Sequence, residues 1–366
     1  MSASPPKATR PPRTTQTCRL RRDILFAIAA GMFPLGDRQM AIGIGRRELM
    51  AALGGVAVAW PLPARAQQAK VPRLGFLGPA SPTGFQVEAL RAGLRDFGYV
   101  EGRNLAIEYR FANGQYDRLP TLANELVRLN VDVIVTHSTP GTQAAKAATS
   151  TIPIVMAVAG DATALGLVSN LARPGGNVTG STFFNPELMA KRLELLKELP
   201  TPMFQIAVLS NTDNPVNEAI FPVMEETAKP LSMKLTKFYV RGPGEFERAF
   251  ADIANQKLDA VVIVDDPILI VNAKALALQA ISRRIPSISH PEFGAAGGLM
   301  AYGVNLYDLF RRSGYFVDRI LKGTSPGDLP VEQPTKFELV INLTTAKSLD
   351  INIPPTLLAR ADRVIE

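Results

Sequence analysis

The sequence predicts an α/β protein built from two doubly wound lobes, and three observations lead to that class. Short strands that are apolar throughout alternate with amphipathic helices from Val71 onward, which is typical of parallel sheets covered on both faces. The pattern restarts midway, and an apolar strand beginning at Asp132 has a counterpart beginning at Asp259. The stretch from residue 67 to the end contains 300 of the 366 residues, which suits two domains.

The first half is predicted to contain five strands and four helices. After a short apolar strand, Phe85, Leu90 and Leu94 recur at the spacing of a buried helix face. Glycine and asparagine mark a turn at 98–104, and leucines three or four residues apart from Leu119 onward mark the next helix. The predicted strands are 73–77, 105–110, 131–136, 152–158 and 177–183, and the predicted helices are 85–97, 116–130, 142–149 and 162–171.

The second half repeats the alternation, because apolar runs are again bounded by polar turns and separated by helical periodicity. The predicted strands are 205–210, 234–240, 259–264, 286–289, 299–304 and 337–342, and the predicted helices are 186–199, 216–231, 245–256, 269–283 and 306–321. We assign 71–182 plus 306–323 to lobe one and 184–303 plus 336–366 to lobe two. The chain then crosses between lobes three times, near Phe183, Gly303 and Pro330.

Charge and cysteine content exclude several classes of function. The net charge of +7 lies entirely in residues 1–66, which hold ten basic and three acidic residues, so residues 67–366 are formally neutral. A neutral body argues against nucleic-acid binding. Cys18 is the only cysteine, and His137 and His290 are the only histidines. We therefore expect no disulfide, thiol nucleophile, metal or cofactor in the body.

The N-terminal segment is predicted to direct export. Paired arginines at 46 and 47 precede an uncharged, Gly/Ala-rich stretch, and Ala64-Arg65-Ala66 places small residues where a signal peptidase reads. The arginine pair is typical of the twin-arginine type. We expect 40–66 to be a signal peptide cleaved after Ala66, and 1–39 to be a disordered or non-native extension, since Met40 is an alternative start. A membrane anchor is the alternative.

Polar loops follow the predicted strands, at the edge where ligands of open parallel sheets collect. If two lobes face each other, these loops line one cleft. The predicted ligand-binding residues are Ser81, His137, Ser138, Thr139, Asp161, Asn211, Asp265, Asp266, His290 and Tyr302.

Several of these residues also have a purely structural interpretation. Ser138 and Thr139 precede a helix, where hydroxyls and free N–H groups can seat a carboxylate or simply cap the helix. Asp161 is equally suited to a cap. Asp265 and Asp266 close an apolar strand and need partners if buried. One can bind an ammonium or hydroxyl group while the other caps the helix that Pro267 begins, and we favour Asp266 as the ligand-binding residue.

Several stretches resemble the substrate-binding proteins of ABC importers, in the branch that includes tryptophan- and tyrosine-binding proteins. They are FGYVEGRN at 97–104, YDRLP at 116–120, PGGNVTG at 174–180, KRLELLKE at 191–198, GGLM at 297–300 and QPTKFELVIN at 333–342. The resemblance spans 71–366. It implies two Rossmann-like lobes of the type I periplasmic-binding-protein class, joined by a three-segment hinge.

The resemblance further implies a periplasmic, non-enzymatic, monomeric protein that captures a small organic ligand and delivers it to an inner-membrane ABC permease. Two alternatives remain open from the residues. One is a ligand sensor for a membrane receptor, and the other is an exported α/β enzyme that uses Asp265 or Asp266 with a histidine. The motifs of nucleotide-binding loops, zinc proteases and serine hydrolases are absent from the sequence.

Overall fold

The first lobe is a five-stranded, all-parallel sheet with the order β2-β1-β3-β4-β5. The computed structural model describes residues 71–366 apart from 83, 184 and 215, so the predictions for 1–66 lie outside the described residues. The strands are fully apolar where they are buried on both faces, as β4 is. The elements are β1 (Arg73–Gly78), α1 (Gly84–Asp96), β2 (Ala106–Phe111), α2 (Leu119–Arg128), β3 (Val133–Thr136), α3 (Thr139–Ala148), β4 (Ile154–Ala159) and β5 (Val178–Thr182).

The second lobe is a seven-stranded sheet with the order β12-β11-β10-β9-β8-β6-β7. Its elements up to the second crossing are α4 (Asn185–Lys197), β6 (Gln205–Asn211), α5 (Val216–Ala228), β7 (Lys234–Val240), α6 (Phe246–Asn255), β8 (Ala260–Ile263), α7 (Pro267–Val271), α8 (Ala273–Ser282), β9 (Ser287–Ser289), α9 (Pro291–Ala295) and β10 (Met300–Val304). The remaining elements are α10 (Leu306–Leu321), β11 (Phe337–Asn342), α11 (Leu343–Ser348), α12 (Pro355–Leu358) and β12 (Arg363–Ile365). The predicted class, two doubly wound α/β lobes, is confirmed.

Three short segments connect the lobes. The chain leaves the first sheet after β5, returns through α10, which packs on α1 and on strands β3 to β5, and leaves again before β11. The third segment runs beside the first, because Glu332 pairs with Ser181 and its N–H donates to the carbonyl of Gly180. These hydrogen bonds hold the first and third crossing segments side by side in the hinge.

Three sequence predictions of local structure are wrong. Residues 162–171 form turns rather than a helix, because Gly166 adopts a φ of +65° and ends the first turn. The helix predicted at 269–283 is two helices that meet at Asn272, whose side chain donates to the carbonyl of Ile268. Strand β11 runs antiparallel to β10 in a sheet whose other pairings are parallel.

The contact between α1 and α10 depends on two glycines. A Cβ at Gly93 would lie 1.9 Å from the carbonyl oxygen of Arg311, and one at Gly314 would lie 2.2 Å from the carbonyl carbon of Gly93. We expect Gly93→Ala to lower the free energy of unfolding by about 2 kcal/mol, because over-packing outweighs the gain in helix propensity. Urea unfolding measures this loss. Gly176→Ala is the control, since a Cβ there meets nothing within 4 Å, and equal losses would contradict the packing argument.

Candidate functional site

A cavity of about 50 Å³ lies between the lobes, at the carboxyl ends of strands from both sheets. The first lobe contributes the residues after β3 and β4, and the second contributes the residues after β8 and β9. Apolar side chains complete the wall, namely Phe183 at the first crossing, Val304 at the end of β10 and Phe310 on α10. The polar residues that line it are Gln86, His137, Ser138, Thr139, Asn214, Asp265 and His290.

The start of α3 presents hydroxyl groups to this cavity. Ser138 adopts φ 63° and ψ 162°, a conformation that costs a non-glycine residue about 1–3 kcal/mol and is concentrated at functional sites. Its Oγ lies 3.5 Å from the N–H of Gly141 as a long cap, and the Thr139 hydroxyl accepts from the N–H of Gly160 at 3.3 Å. Ser138 therefore both caps α3 and lines the cavity.

His137 is a deeply buried polar group of the first-lobe wall, and its ring has no hydrogen-bond partner among the described residues. Its side chain is 3% exposed and lies between the rings of Phe76 and Phe310, at centroid distances of 6.2 and 5.2 Å. Burial lowers the pKa of His137 to about 3, so the imidazole is neutral at pH 7. A neutral imidazole offers one donor and one acceptor.

Asp265 lines the cavity from the second lobe and is paired with a fully buried arginine. Arg192 on α4 donates through Nη2 to both carboxylate oxygens of Asp265, at 2.8 and 3.0 Å. Its other nitrogens donate to the backbone carbonyls of Ile263 and Tyr302. Burial lowers the pKa of the Arg192 guanidinium, and the Asp265 carboxylate opposes that change. The pair fixes the Asp265 carboxylate at the cavity wall.

Asp266 lies outside the cavity lining and is 0% exposed. Its carboxylate accepts from the Tyr116 hydroxyl at 3.1 and 3.2 Å, from the side chains of Asn211 at 3.1 Å and Asn214 at 2.9 Å, and from the N–H of Ile268 at 2.9 Å. Burial raises the pKa of Asp266, and these hydrogen bonds act in the opposite direction. Asp266 thus caps α7 and holds Asn211 in the second lobe.

The remaining predicted residues are dispersed. His290 lines the cavity, with Nδ1 3.0 Å from Oε2 of Glu292. Ser81 is exposed and lines a separate, wider cleft of about 990 Å³. Asp161 caps the turn that follows it, accepting from the N–H groups of residues 163 and 164. Tyr302 stacks on the ring of Phe337 at 5.9 Å and lies outside the cavity lining.

Sequence reasoning missed Arg192, Gln86 and Asn214. A signal for Arg192 was present, because it lies four residues from both Leu188 and Leu196 and so shares their buried helix face. A charged residue in that position needs a buried partner. Gln86 and Asn214 have no comparable signal, since single amides near turns are common.

The part of the chain that the structure describes contains neither a metal-binding cluster nor a membrane-spanning helix. No cluster of three or more His, Cys, Asp or Glu side chains there could hold a metal ion. No helix among those residues is both long enough and apolar enough to span a bilayer.

The chain matches known proteins over most of its length. The model of the ABC transporter substrate binding protein family matches residues 83–365. A tyrosine-binding protein of Clostridioides difficile is 29% identical over 259 residues, covering 70% of this chain and 74% of that protein.

Solved structures agree with that match. A Streptococcus pneumoniae ABC domain in complex with L-Trp superposes with a TM-score of 0.73 at 26% identity, covering 80% of this chain and 99% of that one. A conserved domain protein of Vibrio cholerae gives a TM-score of 0.75 at 28% identity, covering 81% and 100%. The fold is that of type I periplasmic binding proteins, which a leucine-binding protein of Thermotoga maritima shares at a TM-score of 0.51 and 12% identity, over 69% of this chain and 83% of that one. The chain therefore belongs to the ABC transporter substrate-binding protein family.

Proposed function

We propose that this protein is exported and captures an amino acid with an apolar side chain between its lobes, which must part to widen the cavity of about 50 Å³. The protein acts as a monomer and delivers the amino acid to an ABC permease. We infer the ligand class from the two sides of the cavity, which differ in chemistry. The first lobe presents the start of α3, with Ser138 and Thr139, and the second presents the Asp265 carboxylate.

The chemistry of these walls supports a zwitterionic ligand. A helix start with hydroxyl groups favours a carboxylate, and an aspartate held in place by Arg192 can accept hydrogen bonds from an ammonium group. Phe183, Val304, Leu306 and Phe310 supply apolar surface for the side chain. The tyrosine-binding relative and the L-Trp complex make these two amino acids the first ligands to test.

Thermal unfolding in the presence of candidate ligands tests the proposal. The panel contains L-tyrosine, L-tryptophan, L-phenylalanine, L-leucine, benzoate and phenylacetate. A ligand present at 100 times its Kd stabilises the folded protein by about 2.7 kcal/mol, so a true ligand gives a saturable rise in Tm. A rise with the two carboxylic acids and none with the amino acids would reject the ammonium assignment. No rise with any of them would reject the ligand class.

Asp265→Asn should weaken binding of the amino acid from this panel by about 10- to 100-fold, because a charge-assisted hydrogen bond becomes a neutral one. Isothermal titration calorimetry measures the change in Kd, which separates it from any change in stability. Asp161→Asn is the matched control, since Asp161 lies outside the cavity lining, and its Kd should equal that of the wild type. Equal Kd values for all three proteins would contradict the role of Asp265.

Export and delivery need separate measurements. The mass of the mature protein purified from its native cells should correspond to a start at Gln67, and a chain that retains residues 1–66 would contradict cleavage after Ala66. Light scattering on the purified protein should give the mass of one chain.

Deletion of the gene should abolish high-affinity uptake of the ligand, and unchanged uptake would contradict an importer role.

A further inference from the structure

The two lobes meet at a second place besides the cavity. The start of α7 in the second lobe contacts the segment 112–116 of the first lobe, which follows β2. Asp266 and Ile268 come from the second lobe, and Tyr116 comes from the first. These three residues combine one polar and one apolar contact, and we call them the lobe contact.

In the polar part of the lobe contact, most donors to Asp266 come from its own lobe and one comes from the other lobe. Asn211, Asn214 and the N–H of Ile268 all belong to the second lobe, and they donate to Asp266 whatever the position of the first lobe. The Tyr116 hydroxyl is the donor to Asp266 that comes from across the gap. Separation of the lobes therefore breaks the Tyr116 hydrogen bonds and leaves Asp266 with its own lobe's donors.

In the apolar part of the lobe contact, a side chain of the second lobe packs among residues of the first lobe. Ile268 is 3% exposed and packs in a buried cluster whose other members, apart from Val331 of a crossing segment, belong to the first lobe. Gly114 lies beside it, since a Cβ on Gly114 would be in ordinary van der Waals contact with Cδ1 of Ile268, at 3.4 Å. Opening of the lobes would expose Ile268 to water, which costs free energy in proportion to its apolar area.

We propose that Tyr116, Asp266 and Ile268 form a latch that stabilises the closed arrangement of the lobes, and that Asp266 acts in closure rather than in ligand contact. The adjacent acids then have different roles, because Asp265 faces the cavity and Asp266 faces the other lobe. The movement that brings Asp265 against a ligand also completes the Tyr116 hydrogen bond. The importance of closure for capture rests on the proposed function, whereas the latch itself does not.

Distance measurements between two spin labels test the latch without any ligand. The full chain contains one cysteine, so Cys18→Ser allows labels at Thr121→Cys on α2 and Glu247→Cys on α6, both at exposed positions on opposite lobes. Double electron–electron resonance then gives the ratio of closed to open molecules. We expect Tyr116→Phe, which keeps the ring and removes the hydroxyl, to lower that ratio about tenfold.

Two further variants decide the result. Asp266→Asn should shift the ratio in the same direction, and the double variant should add little, because both changes weaken or remove the same hydrogen bond. Tyr109→Phe removes a tyrosine hydroxyl that bonds Glu101 within the first lobe, and it should leave the ratio unchanged. Identical distance distributions for the wild type, Tyr116→Phe and Tyr109→Phe would overturn the latch. Because no ligand is present, this result is independent of the metabolite panel.

Discussion

Replacement of Arg192 by methionine should lower the free energy of unfolding by about 3 to 5 kcal/mol. The side chain is fully buried, and its removal leaves the Asp265 carboxylate without its cation in a site that is 10% exposed. The carbonyls of Ile263 and Tyr302 lose a donor at the same time. Methionine fills much of the same volume, so the loss reports the uncompensated charge rather than a cavity. Urea unfolding at pH 7 measures it.

A matched surface pair provides the control. Arg312 forms two hydrogen bonds with Glu332, but both side chains are about 40% exposed, so Arg312→Met should cost less than about 1 kcal/mol. The double variant Arg192→Met/Asp265→Leu should recover most of the stability, because it removes the stranded charge. Equal losses for Arg192→Met and Arg312→Met would show that the buried pair contributes no more than an exposed one.

The regular elements could be predicted because their signals are local. Helix α10 and strand β11 have the predicted bounds, since Asn305 caps an amphipathic run and β11 is a short apolar stretch between turns. Elements of four to six residues, such as α9 and α12, span less than two helical turns and give no periodicity. The antiparallel direction of β11 depends on the path of the preceding connection, which no residue pattern encodes.

The sequence could predict which loops line the site, but not the role of each side chain in them. The residues at the ends of β3, β8 and β9 do line one cavity, because the carboxyl ends of parallel strands share an edge; that they bind a ligand stays a prediction. The sequence favours Asp266 over Asp265 as the ligand contact, whereas Asp265 is the acid that lines the cavity. That difference depends on Arg192 and Tyr116, which are 73 and 150 positions away along the chain.

The neutral state of His137 gives the second large expected effect. Between pH 7 and pH 4.5, the wild type should lose about 2.5 kcal/mol more unfolding free energy than His137→Gln. The pKa of His137 is about 3 in the folded protein and 6.5 in the unfolded chain, so below pH 6.5 the unfolded chain binds a proton that the folded protein excludes. The contribution of His137 is therefore fully present above pH 6.5 and declines toward pH 3, at about 1.4 kcal/mol per pH unit.

Urea unfolding of both proteins at several pH values isolates this effect, because the other titrating groups are common to the pair. Nuclear magnetic resonance gives an independent measurement. The chain has two histidines, so His290→Gln leaves one imidazole, whose ring shifts should stay constant from pH 7 to pH 5. A midpoint near pH 6.5, together with parallel stability curves, would mean that the ring is solvated rather than held neutral. Under the proposed function, a ring that stays neutral would offer the ligand a donor and an acceptor but no positive charge. The start of α3 would then be the feature of the first-lobe wall that attracts a carboxylate.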